Sequence, residues 1–111
     1  MIELILLNYL SDVLSVPVVM ERPESPASSY VLLEKTGSSV TNHIKSATFA
    51  IQSYAPTMCE AAELNENVKT ALEASIILPE ISAARLNSDY NYTDTASKQY
   101  RYQAVFDFIY Y

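Results

Sequence analysis

The last 22 residues, YNYTDTASKQYRYQAVFDFIYY, restrict the possible folds more than any other part of the chain. From Tyr100 onward, apolar and aromatic side chains recur at every second position, which is the spacing of a half-buried β-strand. We predict a long hairpin of two strands, 81–92 and 98–111, joined by the polar TDTAS. The last strand is expected to be central or nearly central in its sheet, with Tyr100, Tyr102, Ala104, Phe106, Phe108 and Tyr110 on one face and Arg101, Gln103, Val105, Asp107, Ile109 and Tyr111 on the other.

The first half of the chain predicts one helix followed by three strands. Apolar residues of 2–14 recur with a period near 3.6, which indicates an amphipathic helix. The β-branched run 18–22 predicts a short strand, and the proline- and serine-rich stretch 21–29 predicts a loop. Segments 30–35 and 44–54 predict an antiparallel hairpin, with TGSSVTNH as a polar connection longer than the tightest turns.

The second helix has the clearest sequence signal. Thr57 stands three residues before Glu60, which is the spacing of a capping box, and Pro79 bars continuation beyond the helix. An apolar stripe is expected at Ala61, Leu64, Val68, Ala71 and Leu72. The order of elements predicts one domain, 1–111, of the α+β class, in which one mostly antiparallel sheet of about five strands has two helices packed on one face.

Composition excludes several classes of protein. Thirteen acidic and seven basic residues give a net charge of −6, and the basic residues are spread along the chain, so a nucleic-acid-binding patch is not expected. A single cysteine rules out an intrachain disulfide. The apolar opening segment lacks a positive region and is interrupted by Glu3, Asn8 and Asp12, so we expect neither a signal peptide nor a membrane span, but a soluble protein that is intracellular when made.

The side chains that support catalysis are sparse and scattered. His43 is the only histidine and falls in a polar turn without a GxSxG motif elsewhere, and Cys59 is expected to be a small helix-packing residue. Asp89 and Asp94 could in principle hold calcium weakly, although turn-favouring carboxylates are the simpler interpretation. Gly37 is the only glycine, so a phosphate-binding loop is not expected. These observations predict a protein that is not an enzyme and uses no cofactor or metal.

The second face of the last strand points to a partner. Val105, Ile109 and Tyr111 would be exposed if the helices cover only the opposite face. Exposed apolar patches often mark interaction sites, and an unpaired sheet edge offers a second surface through strand addition.

Several stretches resemble the tail terminator, or tail completion, proteins of long-tailed bacteriophages. The resemblance is carried by VPVVMERPE, YVLLEKTGSS, ATFAIQSYAPTMCEAAELNENVKTAL and the closing YNYTDTASKQYRYQAVFDFIYY, in the order found in that family. The strand followed by SYAPT and a capped helix, and YRYQAVF near the end, are the most telling parts. The likeness spans nearly the whole chain and lies in structural rather than catalytic motifs.

The resemblance implies a structural protein of the virion tail, made in the bacterial host cytoplasm. It would form a ring, expected to be a hexamer, that caps the tail tube, ends tube polymerisation and provides the surface for head–tail joining. The implied partners are further copies of the chain, the tail tube protein and a head-completion or neck protein, without membrane contact. Six copies at −6 each would carry about −36, so an acidic lumen would let DNA pass without specific binding.

Candidate contact residues follow from the predicted elements, since the family has no catalytic residues. The expected ring contacts on the last strand are Arg101, Val105, Asp107, Ile109 and Tyr111. The turns 36–43 and 90–97 are expected to dock the tube or neck, through Gly37, Ser38, Asn42, His43, Asn91 and Asp94. Two alternatives are a head–tail connector or neck protein of the same virion, and a non-viral protein-binding module.

Overall fold

A computed structural model describes residues 1–94, 96 and 99–111 of the chain. Within these residues the chain forms two α-helices, one short 3₁₀ helix and five strands. Their bounds are α1 Ile2–Val13, β1 Val18–Val19, β2 Tyr30–Thr41, β3 Ile44–Ala55, α2 Met58–Glu73, the 3₁₀ helix Ala74–Ile77, β4 Ile81–Asn91 and β5 Tyr100–Tyr110.

The strands form one five-stranded sheet in the order β1-β2-β3-β5-β4. β1 pairs with β2 in parallel, and the other three pairings are antiparallel. The α+β class and the five mostly antiparallel strands are therefore confirmed. The two helices are also confirmed on one face, because the buried residues of α1 and α2 belong to a single core cluster with one set of strand side chains. β5 lies between β3 and β4, so its prediction as a nearly central strand is also confirmed.

The predicted polar connection between β2 and β3 is wrong. β2 continues to Thr41, and only Asn42 and His43 form the turn, both with positive φ angles of 51° and 65°. This is the pattern of a two-residue type I′ turn, in which asparagine is favoured because its side chain tolerates the left-handed region. Gly37 and Ser38, which were expected in a docking loop, are therefore strand residues, with a register shift between Lys35 and Gly37.

Two other predicted boundaries differ from the structure. The first strand was expected over 18–22 but contains only Val18 and Val19, which pair with Val31 and Leu32. Proline at position 23 supplies no backbone N–H, so a longer parallel pairing is not favoured there. The predicted start of the last strand at Lys98, and Thr95 and Ser97 of the adjoining turn, lie outside the described residues.

The hydrophobic core lies between the helices and one face of the sheet. Phe49, Phe106 and Phe108 are fully buried there, and the rings of Phe49 and Phe108 meet edge to face with centroids 5.7 Å apart. Both helices contribute to the same cluster, α1 through Ile2, Leu6 and Leu10 and α2 through Leu64, Val68 and Leu72. The sheet contributes Val31 and Leu33 of β2, Ala47 and Ile51 of β3, and Ala104 of β5. The alternation of β5 thus places its even-numbered residues toward the helices, as the sequence predicts.

The predicted stripe of α2 is largely confirmed, with one polar exception. Ala61, Leu64, Val68 and Leu72 are buried, whereas Ala71 is only partly buried and Asn65 shares the buried side. The Asn65 amide nitrogen donates to the Asp89 carboxylate over 3.1 Å, and Lys69 donates to the same oxygen over 2.9 Å. These bonds attach the helix to β4, which explains why a polar residue occupies the buried side.

The N-cap of α2 provides a direct test of the capping prediction. The Thr57 hydroxyl oxygen accepts a hydrogen bond from the Glu60 backbone N–H over 3.2 Å. Replacing Thr57 with alanine leaves that donor without its side-chain partner and is expected to lower the free energy of unfolding by about 1 kcal/mol. Urea denaturation followed by circular dichroism would measure the change. Thr57→Ser, which keeps the acceptor, is the control and should retain most of the stability.

Candidate assembly surfaces

The face of the sheet opposite the helices is open, and we call it the open face. It carries the odd-numbered side chains of β5 and the even-numbered side chains of β3, because β-strand side chains alternate and the other set forms the core. All four predicted contact residues within β5 lie on it: Arg101, Val105, Asp107 and Ile109. Tyr111 follows the strand and is 77% exposed. The five residues form a line along the sheet rather than one compact patch.

The middle of the open face is covered by hydrogen-bonded polar side chains. The Thr48 hydroxyl donates to Asp107 over 2.6 Å, and the Asn87 amide donates to the other carboxylate oxygen over 3.0 Å. Farther along, the Gln52 amide donates to Gln103 over 2.9 Å. These bonds join β3, β5 and β4 across the surface, so the central open face is an ordered polar layer with Val105 half-buried within it.

The Asp107 carboxylate is held in its ionised form by its neighbours. Hydrogen bonds from Thr48 and Asn87 lower its pKa, and the positive charge of Arg85 acts in the same direction, while partial burial opposes them. Because the folded-state pKa lies below the unfolded value, ionised Asp107 stabilises the fold above the unfolded pKa. That contribution is lost as pH falls through the folded pKa.

We therefore expect Asp107→Asn to flatten the acid side of the stability profile. The native protein should lose unfolding free energy as pH decreases below about 4, the usual carboxyl range, and the variant should lose less over the same interval. Urea denaturation at a series of pH values would measure the difference. Since other carboxyl groups also titrate there, Glu24→Gln, in the exposed loop, is the control. An identical pH slope for Asp107→Asn and the native protein would contradict the assignment.

One end of the sheet is apolar on its surface, and we call it the apolar end. It comprises Val40, Ile44, Ile109 and Tyr111, whose side chains are between 42% and 77% exposed. The turn between β2 and β3 and the end of β5 meet here, since Lys45 pairs with Tyr110 and the Tyr111 N–H donates to the Glu80 carbonyl oxygen. A hollow of about 240 Å³ at this end is lined by His43, Ile44, Ser82, Ile109, Tyr110 and Tyr111.

The opposite end holds an arginine–tyrosine cluster, formed by Arg22, Tyr30, Tyr54, Tyr92 and Arg101. The buried rings of Tyr30 and Tyr54 stack with centroids 4.5 Å apart and planes 5° from parallel. Arg101 donates to the Tyr54 hydroxyl over 2.9 Å and to the Tyr92 carbonyl oxygen over 2.7 Å. Its guanidinium carbon lies 4.4 Å from the Tyr92 ring centroid, and that of Arg22 lies 6.0 Å from the Tyr54 centroid. We call this the arginine–tyrosine end.

The two predicted docking turns lie at opposite ends of the sheet. Asn42 and His43 form the turn at the apolar end, whereas Asn91 ends β4 beside the arginine–tyrosine end. Asn91 and Asp94 each accept a hydrogen bond from the backbone N–H two residues later, over 3.0 and 3.1 Å. These are Asx turns, in which short polar side chains order the connection. The two turns therefore do not form one continuous surface.

The remaining candidate reactive residues lie in different parts of the fold. His43 is exposed in its turn, and Cys59 is also exposed, so its prediction as a helix-packing residue is wrong. Its position in the first turn of α2 lies on the solvent side of the stripe. Asp89 points toward α2 and binds Asn65 and Lys69, so the structure brings it to the helix rather than to a calcium site with Asp94. Among residues 1–94, 96 and 99–111, no group of three potential metal-ligating side chains comes together.

Sequence reasoning missed the arginine–tyrosine end. Arg22 and Tyr30 flank a loop, and Tyr54 and Arg101 belong to strands that are far apart in the chain. The only sequence feature that pointed to this cluster was the proline-rich loop with its single arginine. No local pattern indicates which strand such a loop will contact.

Comparison of the sequence with known protein families finds no matching family, and comparison with curated proteins finds no significant match. In the part of the chain that the structure describes, no helix is long and apolar enough to cross a membrane.

Proposed function

We propose that the chain is a structural virion protein that forms a ring on the bacteriophage tail tube, ends tube polymerisation and provides the surface for head–tail joining. The resemblance of the sequence to tail terminator proteins motivates this function. The observation that carries it is the pair of different surfaces along the length of one sheet, the open face with exposed Ile109 and the edge of β4, which has no strand partner among the described residues. In this proposal the protein acts by assembly and has neither catalytic residues nor a cofactor.

The geometry supports a ring because ring contacts are heterologous, so that one patch meets a different patch of the neighbour. The apolar end exposes Ile44, Ile109 and Tyr111, which are suited to the desolvated centre of an interface. The outer edge of β4 and most of the outer edge of β2 carry no strand partner within the described residues. Such edges can pair with a neighbouring chain by strand addition.

The acidic character of the chain is also compatible with a DNA channel. The exposed side of α2 carries Glu60, Glu63, Glu66 and Glu73, and only Glu66 of these forms an ion pair among the described residues, with Lys69. In the proposed ring this side of α2 lines the lumen, where negative charge repels phosphate groups. An assembled ring with α2 on its outer surface would contradict this part of the proposal.

Sedimentation velocity over a concentration series, with negative-stain images at the highest concentration, tests ring formation. Rings of about six subunits are the expected result, either for the protein alone or after addition of short tail tubes as a template. Mixing with tail tube protein should cap the tubes and stop their elongation. A protein that stays monomeric with and without tubes, and leaves elongation unchanged, would contradict the proposal.

The same experiment with tail tubes distinguishes a terminator from a head–tail connector or neck protein. A head–tail connector would bind portal or head-completion proteins and leave elongating tail tubes unaffected, whereas a terminator binds the tubes. Because the two predicted docking turns lie at opposite ends of the sheet, a terminator could use one toward the tube and the other toward the neck. A substitution of Asn42 should therefore weaken binding to one of these partners, and a substitution of Asn91 should weaken binding to the other.

A further inference from the structure

The arginine–tyrosine end holds two of the seven basic residues of an acidic chain. In the described residues, ion pairs join Lys35 to Glu3 and Lys69 to Glu66 and Asp89. Neither Arg22 nor Arg101 has a carboxylate partner within these residues, although the chain has 13 acidic side chains. Two guanidinium groups without an ion pair among the described residues therefore lie beside one aromatic pair, although Glu21 and Glu24 flank Arg22 in the loop.

The positive charges of Arg22 and Arg101 both act on the Tyr30 hydroxyl. Burial raises the pKa of Tyr30, and the neighbouring Tyr54 adds to the rise, whereas the positive charges of Arg22 and Arg101 oppose it. Since both arginines influence the Tyr30 hydroxyl, their fields overlap there. Arg101 is also fixed by its bonds to Tyr54 and to the Tyr92 carbonyl oxygen. A fixed cation beside a buried ring supplies positive potential without the entropy loss of ordering a flexible side chain.

A hollow beside the stacked rings offers room for a ligand. It has a volume of about 160 Å³ and is lined by Arg22, Pro26, Ser28, Tyr30, Tyr54, Ala55, Gln99 and Tyr100. This lining combines one cation with hydroxyl and amide groups that can donate hydrogen bonds, and it contains no carboxylate. The Tyr54 hydroxyl is not one of these donors, because it already donates to Gln52 over 2.7 Å. A hollow with donors and positive charge but no negative charge matches the chemistry of an oxyanion.

We infer that this hollow binds a carboxylate group, with Arg22 as the direct contact and Arg101 as the source of additional positive potential. Arginine binds carboxylates through parallel N–H donors in one plane, and the Arg22 guanidinium carbon lies 6.0 Å from the Tyr54 ring centroid at the wall of the hollow. A dianionic phosphate is disfavoured because the lining supplies only one cation, which matches a singly charged carboxylate group. The carboxylate could come from an acidic segment of a partner protein or from a free small acid.

Titrations monitored by NMR would test the site in the full chain at low ionic strength. The probes are a capped tetraglutamate peptide, glutarate and inorganic phosphate, and the backbone signals of Ser28, Tyr30 and Gln99 report binding. We expect both carboxylates to shift these signals and phosphate to bind more weakly. A peptide affinity at least about tenfold above that of glutarate assigns the carboxylate to a protein segment, and equal affinities assign it to a free acid.

Charge-matched variants separate a specific site from general attraction. Arg22→Gln removes one charge-assisted hydrogen bond and should weaken carboxylate binding about tenfold. Arg85→Gln removes the same charge from an exposed position of β4 and should change binding less than twofold, because screening limits distant surface charges. Arg22 is exposed, so its replacement leaves the core intact. Absence of carboxylate binding, equal weakening by both variants, or tighter binding of phosphate would each overturn the inference. None of these outcomes depends on ring formation.

Discussion

Replacing Ile109 with glutamate should weaken self-association of the chain by about 30-fold or more, while the domain remains folded. Ile109 is 42% exposed, lies on the open face within the apolar end and lines the hollow there. Central apolar contacts of an interface commonly contribute about 2 kcal/mol or more, and burying an unpaired carboxylate adds a further desolvation penalty. Sedimentation velocity, with tail tubes present if the native protein needs a template, would measure the loss of assembly.

The control for this variant is Leu4→Glu on α1. Leu4 is 48% exposed, so the two substitutions remove similar apolar side chains and add the same charge, but Leu4 lies on the helix side of the molecule. We expect Leu4→Glu to assemble like the native protein, and both variants to keep the unfolding free energy within about 0.5 kcal/mol. If Ile109→Glu assembles normally, the apolar end is not a subunit contact. If it unfolds instead, Ile109 belongs to the core.

Replacing Phe106 with alanine should remove about 3–5 kcal/mol of stability, the range for a large aromatic residue deleted from a core. Phe106 is fully buried at the middle of β5, and its ring lies 6.0 Å from that of Phe108. Since small domains are typically stable by about 5–15 kcal/mol, this loss can populate the unfolded state substantially. Urea denaturation at a protein concentration below assembly would measure it.

Tyr111→Ala is the aromatic control for the core substitution. The Tyr111 side chain is 77% exposed, so its loss should change the unfolding free energy by less than about 0.5 kcal/mol. Together the two variants test whether the even-numbered side chains of β5 form the core, and whether Tyr111, which follows β5, lies on the surface. A loss below about 1 kcal/mol for Phe106→Ala would mean that the helices do not pack tightly on this strand.

Features that depend on a few neighbouring residues were predicted well. The alternation of β5 and the Thr57 cap of α2 are local patterns, and both were confirmed because period-two spacing and N-cap geometry need no distant partner. The hairpin between β2 and β3 was predicted with too long a turn. Its Thr, Ser and Val residues are compatible with either a loop or an exposed strand, and pairing with β3 decided between them.

Polar residues of the surface were predicted less completely. Asp107 was identified as a residue of the open face, but its bonds to Thr48 and Asn87 depend on the registers of two different strand pairs. A register shift between Leu86 and Ser88 changes which residues of β4 face the same side. Such a shift reverses the alternation locally, so cross-strand partners could not be inferred from sequence spacing alone.

The sequence by itself determined the α+β class, the nearly central position of the last strand and the face of β5 that enters the core. These follow from apolar periodicity, which is written locally in every element. The tertiary structure alone decided that Arg22 and Arg101 meet at the Tyr30 and Tyr54 rings, and that the two docking turns lie at opposite ends. Contacts between distant segments require the strand registers and the path of the proline-rich loop, which are set by packing across the whole sheet rather than by local spacing.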